Sequence, residues 1–207
     1  MRCNNREERL PRQIPSFNGI ARLIFRKEVL LPSLLTAVGQ YANWTSTFGF
    51  SPILAQQLGA TDVTQSMIVT AQLIMTIIGN LSAKLFVHRV GERRMIISSF
   101  FLLAIGVGIT AAASWLPMLF FAQFFIGLSI GINYPLLTGL NIRYVKDAER
   151  NTAMGLFQSV HGLGIFAGPW LSGILSQAMG FRPMLFVTAI STLIVGLSGG
   201  LKLRRKT

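Results

Sequence analysis

The chain has 207 residues, of which 51% are hydrophobic and only 13% charged, and its mean hydropathy is +0.54. That balance excludes an ordinary soluble globular domain. A formal charge of +12 would suit nucleic acid, but the charges sit in tails and short connections, so no nucleic-acid partner is expected. The single cysteine, Cys3, lies in a polar tail, which excludes a disulfide framework and a cysteine-based metal cluster.

Residues 1–27 are polar and basic, with no apolar core of a signal peptide. Within them Phe17, Ile20, Ala21 and Ile24 fall on one helical face and Arg22, Arg26 and Lys27 on the other. This pattern predicts a short helix on the membrane surface; a plain basic juxtamembrane tail is the alternative. A domain over residues 28–207 follows, with uncharged apolar spans at about 29–57, 63–83, 95–113, 117–140, 152–179 and 184–201. Gly59, Thr61 and Asp62 supply the first turn, residues 84–94 a basic loop, and Ser114-Trp115-Leu116-Pro117 a break within a long uncharged run. Residues 143–150 form a charged loop, and Gly180-Phe181-Arg182-Pro183 turns the chain into the last span. The expected fold class is all-α integral membrane, with six transmembrane helices.

Lysine and arginine set the orientation. With six spans, both tails and the segments 84–94 and 143–150 share one side and hold 18 of these residues, while the other side holds Arg182 alone. Both termini are therefore expected in the cytoplasm, the protein lying in the cell (plasma or inner) membrane with the lipid bilayer as a partner.

The seven acidic residues all lie in tails, loops or at span ends, so no carboxylate is expected at mid-membrane to relay an ion or proton. The neutral polar groups are more informative. Span one carries Gln40, Asn43, Trp44 and Thr47 on one face, and span two carries Gln72, Thr76 and Asn80. Span four carries Gln123, Asn133 and Tyr134, and span five carries Gln158 and His161. Spans three and six offer only serine and threonine. This distribution predicts a substrate cavity lined by spans one, two, four and five, with three and six toward lipid; interhelical glue is the alternative. His161, with no carboxylate in the spans to hold it charged, is expected neutral, offering one donor and one acceptor to a solute or to a neighbouring helix. Three helices followed by three more, started from opposite sides, make a 3+3 inverted repeat, a device that holds a midplane site between moving units.

Span five is rich in glycine. Gly155, eight residues, Gly164, three residues, Gly168-Pro169, two residues and Ser172-Gly173 resemble the antiporter motif of the major facilitator superfamily of secondary transporters, with Ser172 where that motif has glycine. Residues 84–94, KLFVHRVGERR, resemble the superfamily's cytoplasmic loop motif at Arg89, Gly91 and Arg93, and depart from it at Lys84, His88 and Glu92. The segment TFGFSPILAQQLGATD from Thr47 resembles the family's seventh helix. The resemblance implies that this chain is the second six-helix half of a twelve-helix transporter, with residues 1–27 as the linker between halves. It implies helix packing and gating by Gly155, Gly164, Gly168, Pro169 and Gly173, and a cytoplasmic latch at the loop.

The function so implied is half of a secondary active transporter moving a small organic solute, outward by the glycine-proline motif. Its partner is an N-terminal half-transporter or a second copy of itself. The alternative is a non-transporting six-helix remnant or partner subunit. Neither a phosphate-binding glycine loop nor a metal-ligand spacing nor a carboxylate pair within a span is found, so no enzyme, cofactor or metal is expected.

Overall fold

A computed structural model describes residue 23 and residues 25–203, and every regular element among them is helical. The chain begins with α1 (Lys27–Asn43), passes without a break through a π-helical stretch (Trp44–Phe50), and continues as α2 (Ser51–Gln57). Then come α3 (Asp62–Val90), α4 (Glu92–Ala112), α5 (Leu116–Arg143), a short 3-10 turn (Asp147–Glu149), α6 (Arg150–Met179) and α7 (Phe181–Lys202). Of these, α3, α4, α5 and α7 are long and apolar enough to cross a membrane. The residues Phe17, Ile20, Ala21 and Ile24 of the expected surface helix lie outside the described residues.

Local chemistry explains the boundaries. The Thr61 hydroxyl caps α3 by accepting from the Thr64 N–H at 3.3 Å. The expected basic loop over 84–94 is mostly helix, a correction to the sequence reading. Helix α3 runs through Lys84, His88 and Arg89 to Val90, and only Gly91 interrupts it, at φ +88. Nothing in KLFVHRV breaks a helix, Ala83 and Val87 pack toward Met95, and cationic side chains are favourable at a helix C-terminus. Glycine alone takes the left-handed turn without strain. The break at 114–117 stands where expected, with Pro117 in the first turn of α5.

The π-helical stretch was not anticipated. Pro52 accounts for it: its ring opposes the carbonyl four residues back and its nitrogen cannot donate, so the turn before it widens. Thr45, Ser46 and Thr47 in that stretch are all buried.

In the packing, α3 lies chiefly on α5, α1 on α6, and α4 on both α5 and α7. Glycines set the two closest seams. A Cβ on Gly127 or Gly131 of α5 would overlap the Gln72 or Thr76 carbonyl of α3, and one on Gly164 of α6 would overlap the Ala37 carbonyl of α1. The fully buried Phe100 of α4 fills the space opposite Gly196 of α7. Span three, expected toward lipid, is instead the most enclosed of the four apolar helices, with 56% of its most apolar window buried, because it is held between α5 and α7. Helix α7 presents a mostly apolar outer face, exposing Phe186, Val187, Ile190 and Ile194 together with Ser191 and Ser198.

Candidate functional site

The polar residues of the spans form two groups with different surroundings. The first is a buried ladder. The Asn43 carbonyl accepts from the Gln72 amide at 2.7 Å and lies 3.3 Å from the Thr47 hydroxyl, and the Asn43 amide donates to Gln40 at 3.4 Å. Thr47 also donates to the Gln123 carbonyl at 2.9 Å, and the Gln123 amide donates to the Ser51 hydroxyl at 2.9 Å. Gln40, Asn43, Thr47, Ser51, Gln72 and Gln123 are all buried. On the first span Gln40, Asn43 and Thr47, at i, i+3 and i+7, thus follow a seam with α3 and α5. Asn133 is buried beside them, against Gly39, in a gap too narrow to admit a water.

The second group is open. Gln158 of α6, exposed, donates to the Tyr134 hydroxyl of α5 at 2.8 Å. The half-buried His161 ring meets Tyr134 edge-on at 5.3 Å and lies 6.4 Å from the Phe157 ring. Its Nδ1 is 3.4 Å from the Thr36 hydroxyl of α1. Hydroxyl, amide and imidazole converge here among aromatic edges, so the cluster can offer hydrogen-bond donors and acceptors to a planar or polar organic molecule. Trp44 stands apart, its ring 4.4 Å from that of Phe48.

Thr36, Ser51 and Phe157 complete these groups and were not among the expected residues. A signal existed for some of them: Thr36 precedes Gln40 by four residues on the same helical face.

The span-five motif divides likewise. Gly164 and Gly168 are buried against α1, whereas Gly155, Gly162 and Gly173 have nothing within 4 Å of an added Cβ, and Pro169 is exposed. Ser172, the departure from the motif, is buried and donates to the Gly168 carbonyl, which also accepts from Thr45 at 3.1 Å. At the other motif, Arg89 is exposed while Arg93 Nε donates to the Gly200 carbonyl of α7 at 3.0 Å. Glu92, also a departure, forms a bidentate pair with Arg143 at the end of α5, one of its bonds 2.6 Å. The pair is partly exposed, so its value is below about 1 kcal/mol.

Because His161 is half-buried and makes one long hydrogen bond, His161→Leu should change stability by less than about 1 kcal/mol. Phe157→Ala, at a fully buried ring, should cost about 3–5 kcal/mol. Both are measured by unfolding in mixed micelles; a loss above about 2 kcal/mol for His161→Leu would make the histidine structural rather than available to a solute.

A family model described as the Major Facilitator Superfamily matches residues 33–207. The chain is 24% identical over 139 residues to an uncharacterized MFS-type transporter of Methanocaldococcus jannaschii, an alignment covering 67% of this chain and 36% of that one. It is 27% identical over 181 residues to an MFS-type transporter of Rattus norvegicus, covering 82% of this chain and 39% of that one. The chain therefore spans less than half the length of these relatives.

Proposed function

We propose, for a chain that belongs to the Major Facilitator Superfamily, that it is the second half of a secondary active transporter that moves a small organic solute outward across the cell membrane. Tyr134, Gln158 and His161 are its share of the solute site. The buried ladder of Gln40, Asn43, Gln72 and Gln123 holds spans one, two and four together behind that site.

The packing supports a 3+3 inverted repeat. Exchanging the first three spans for the last three turns the α3–α5 pair into the α6–α1 pair, and both pairs are extensive, close seams. The expected orientation is supported by what the charges touch. Arg93 to Gly200, Glu92 to Arg143, and Arg26 to Glu149 and the Tyr144 carbonyl tie the starts of α1 and α4 to the ends of α5 and α7 at one pole. Arg182 binds the Ala111 and Ala113 carbonyls at the other, at 3.1 and 2.8 Å.

The observation that carries the half-transporter reading is the mixed exposed face of spans two and five. Helix α3 exposes Met67, Thr70, Ile77 and Asn80, and α6 exposes Gly155, Gln158, Gly162, Leu163 and Phe166. Small and polar residues among apolar ones suit other helices and a solute cleft; the outer face of α7 suits acyl chains. A single bundle has no second unit to rock against, so an N-terminal half or a second copy must cover this face.

A photo-crosslinking residue at Ile77 or Leu163 should capture a polypeptide in native membranes: another six-helix chain, or a product of twice the 22.7 kDa mass. One at Ile190 should capture none. If Ile77 and Leu163 also capture no polypeptide, the chain is a bundle without a partner and the half-transporter reading fails.

A further inference from the structure

At the pole that carries the basic residues, the start of α1 and the ends of α5 and α7 enclose a groove of about 630 Å³. Lys27, Lys202 and Tyr144 stand at its rim, and Leu31, Leu34 and Leu140 form its wall. Among the described residues neither lysine is paired with an acid, whereas Arg26 is held by Glu149 and Arg143 by Glu92. Leu34 lies seven positions after Lys27, about 10 Å along a helix. The groove thus descends from the level of lipid headgroups into that of acyl chains, and Leu34 at its lower end is 49% exposed.

We propose that this groove binds one anionic phospholipid of the surrounding bilayer, its phosphate between Lys27 and Lys202 and an acyl chain along the leucines. Two ammonium groups outweigh the one carboxylate of the lining, Glu28, so a headgroup with net negative charge is preferred over a zwitterionic one. The N–H groups of Lys27 and Glu28, in the first turn of α1, have no partner within the helix and reinforce the same preference. A water-soluble anion would leave the leucine wall uncovered. A packed helix would have to desolvate both lysines without a counter-charge.

The test places the full chain in nanodiscs of equal phosphatidylglycerol and phosphatidylcholine, then counts the lipids that remain bound by native mass spectrometry. The wild type should retain one phosphatidylglycerol with about tenfold preference, and Lys27→Gln with Lys202→Gln should reduce that preference below about twofold. Both lysines are exposed, so this variant leaves the packing alone. Leu34→Trp, which fills the groove but keeps both charges, should also lose the bound lipid, its fold being checked by helix content. Lys84→Gln with Arg94→Gln removes the same charge elsewhere and should leave the preference intact. Equal retention of the two lipids by the wild type would overturn the assignment. So would retention of neither, which would mean that the groove is filled by another part of the chain. An undiminished preference in the Lys27/Lys202 variant, or an equal loss in the Lys84/Arg94 variant, would overturn it as well.

Discussion

Gly131→Leu and Gly164→Leu should each prevent the bundle from assembling, whereas Gly155→Leu and Gly173→Leu should leave it folded. All four sit in uncharged helical stretches and look alike as letters. A side chain on Gly131 would run into the Thr76 carbonyl and the Asn80 nitrogen, the latter 2.8 Å from its Cβ. One on Gly164 would meet the Ala37 backbone, with its Cα at 2.8 Å. These obstacles are main chain, so no rotamer change relieves them, and the helices must separate along the whole seam. Overpacking a core usually costs about 1–3 kcal/mol; here, with helix backbones on both sides, the loss should exceed about 4 kcal/mol. Gly155 and Gly173 have open space around them, and replacing glycine in a helix gains up to about 1 kcal/mol in propensity. The check is the yield of monodisperse protein and its thermal midpoint. Folding of Gly131→Leu at wild-type stability would mean that the α3–α5 seam is not as close as described. Gly155→Leu should show its effect only in assembly, by abolishing the crosslink from Leu163.

Asn43→Leu should destabilise the chain by about 2–4 kcal/mol. Asn43 accepts from Gln72 and donates to Gln40, both within the bundle. An interhelical hydrogen bond in a membrane averages about 0.6 kcal/mol and reaches about 1.7, and a donor left buried without a partner costs about 1–3. Gln72 is the group most affected, since among the described residues its carbonyl oxygen lacks a partner and its amide bonds Asn43 alone. The double variant Asn43→Leu with Gln72→Leu should therefore cost less than the sum of the two single variants, because it removes both ends of the bond. Strict additivity in reversible unfolding would show that the two residues are not coupled. Gln158→Leu, exposed beside Tyr134, should cost less than about 1 kcal/mol by the same measurement.

Membrane class and helical content were legible in the residues because each rests on local or one-dimensional physics. Uncharged runs long enough to span must satisfy their own backbone, which makes them helices. The turns at Gly59 and Gly180 needed a residue that tolerates positive φ. The glycine-proline spacing of span five carried the family resemblance that the match over residues 33–207 supports. Where the reading of residues 84–94 as a loop departed from the structure, charge had been taken as a sign of irregular backbone. A helix that leaves the membrane keeps its hydrogen bonds and simply exposes its charged side chains to water.

Only the tertiary structure decided what each polar or small residue faces. The i, i+3, i+4, i+7 pattern of Gln40, Asn43, Trp44 and Thr47 states that they share a side of one helix, but that side could meet a cavity or a neighbour. It meets α3 and α5 for Asn43 and Thr47, while Gln158 and His161 remain open. The motif glycines separate in the same way, Gly164 against α1 and Gly155 facing outward. Helical periodicity fixes an angle about one axis; which helix stands at that angle depends on the packing of the other helices, and that is a property of the bundle.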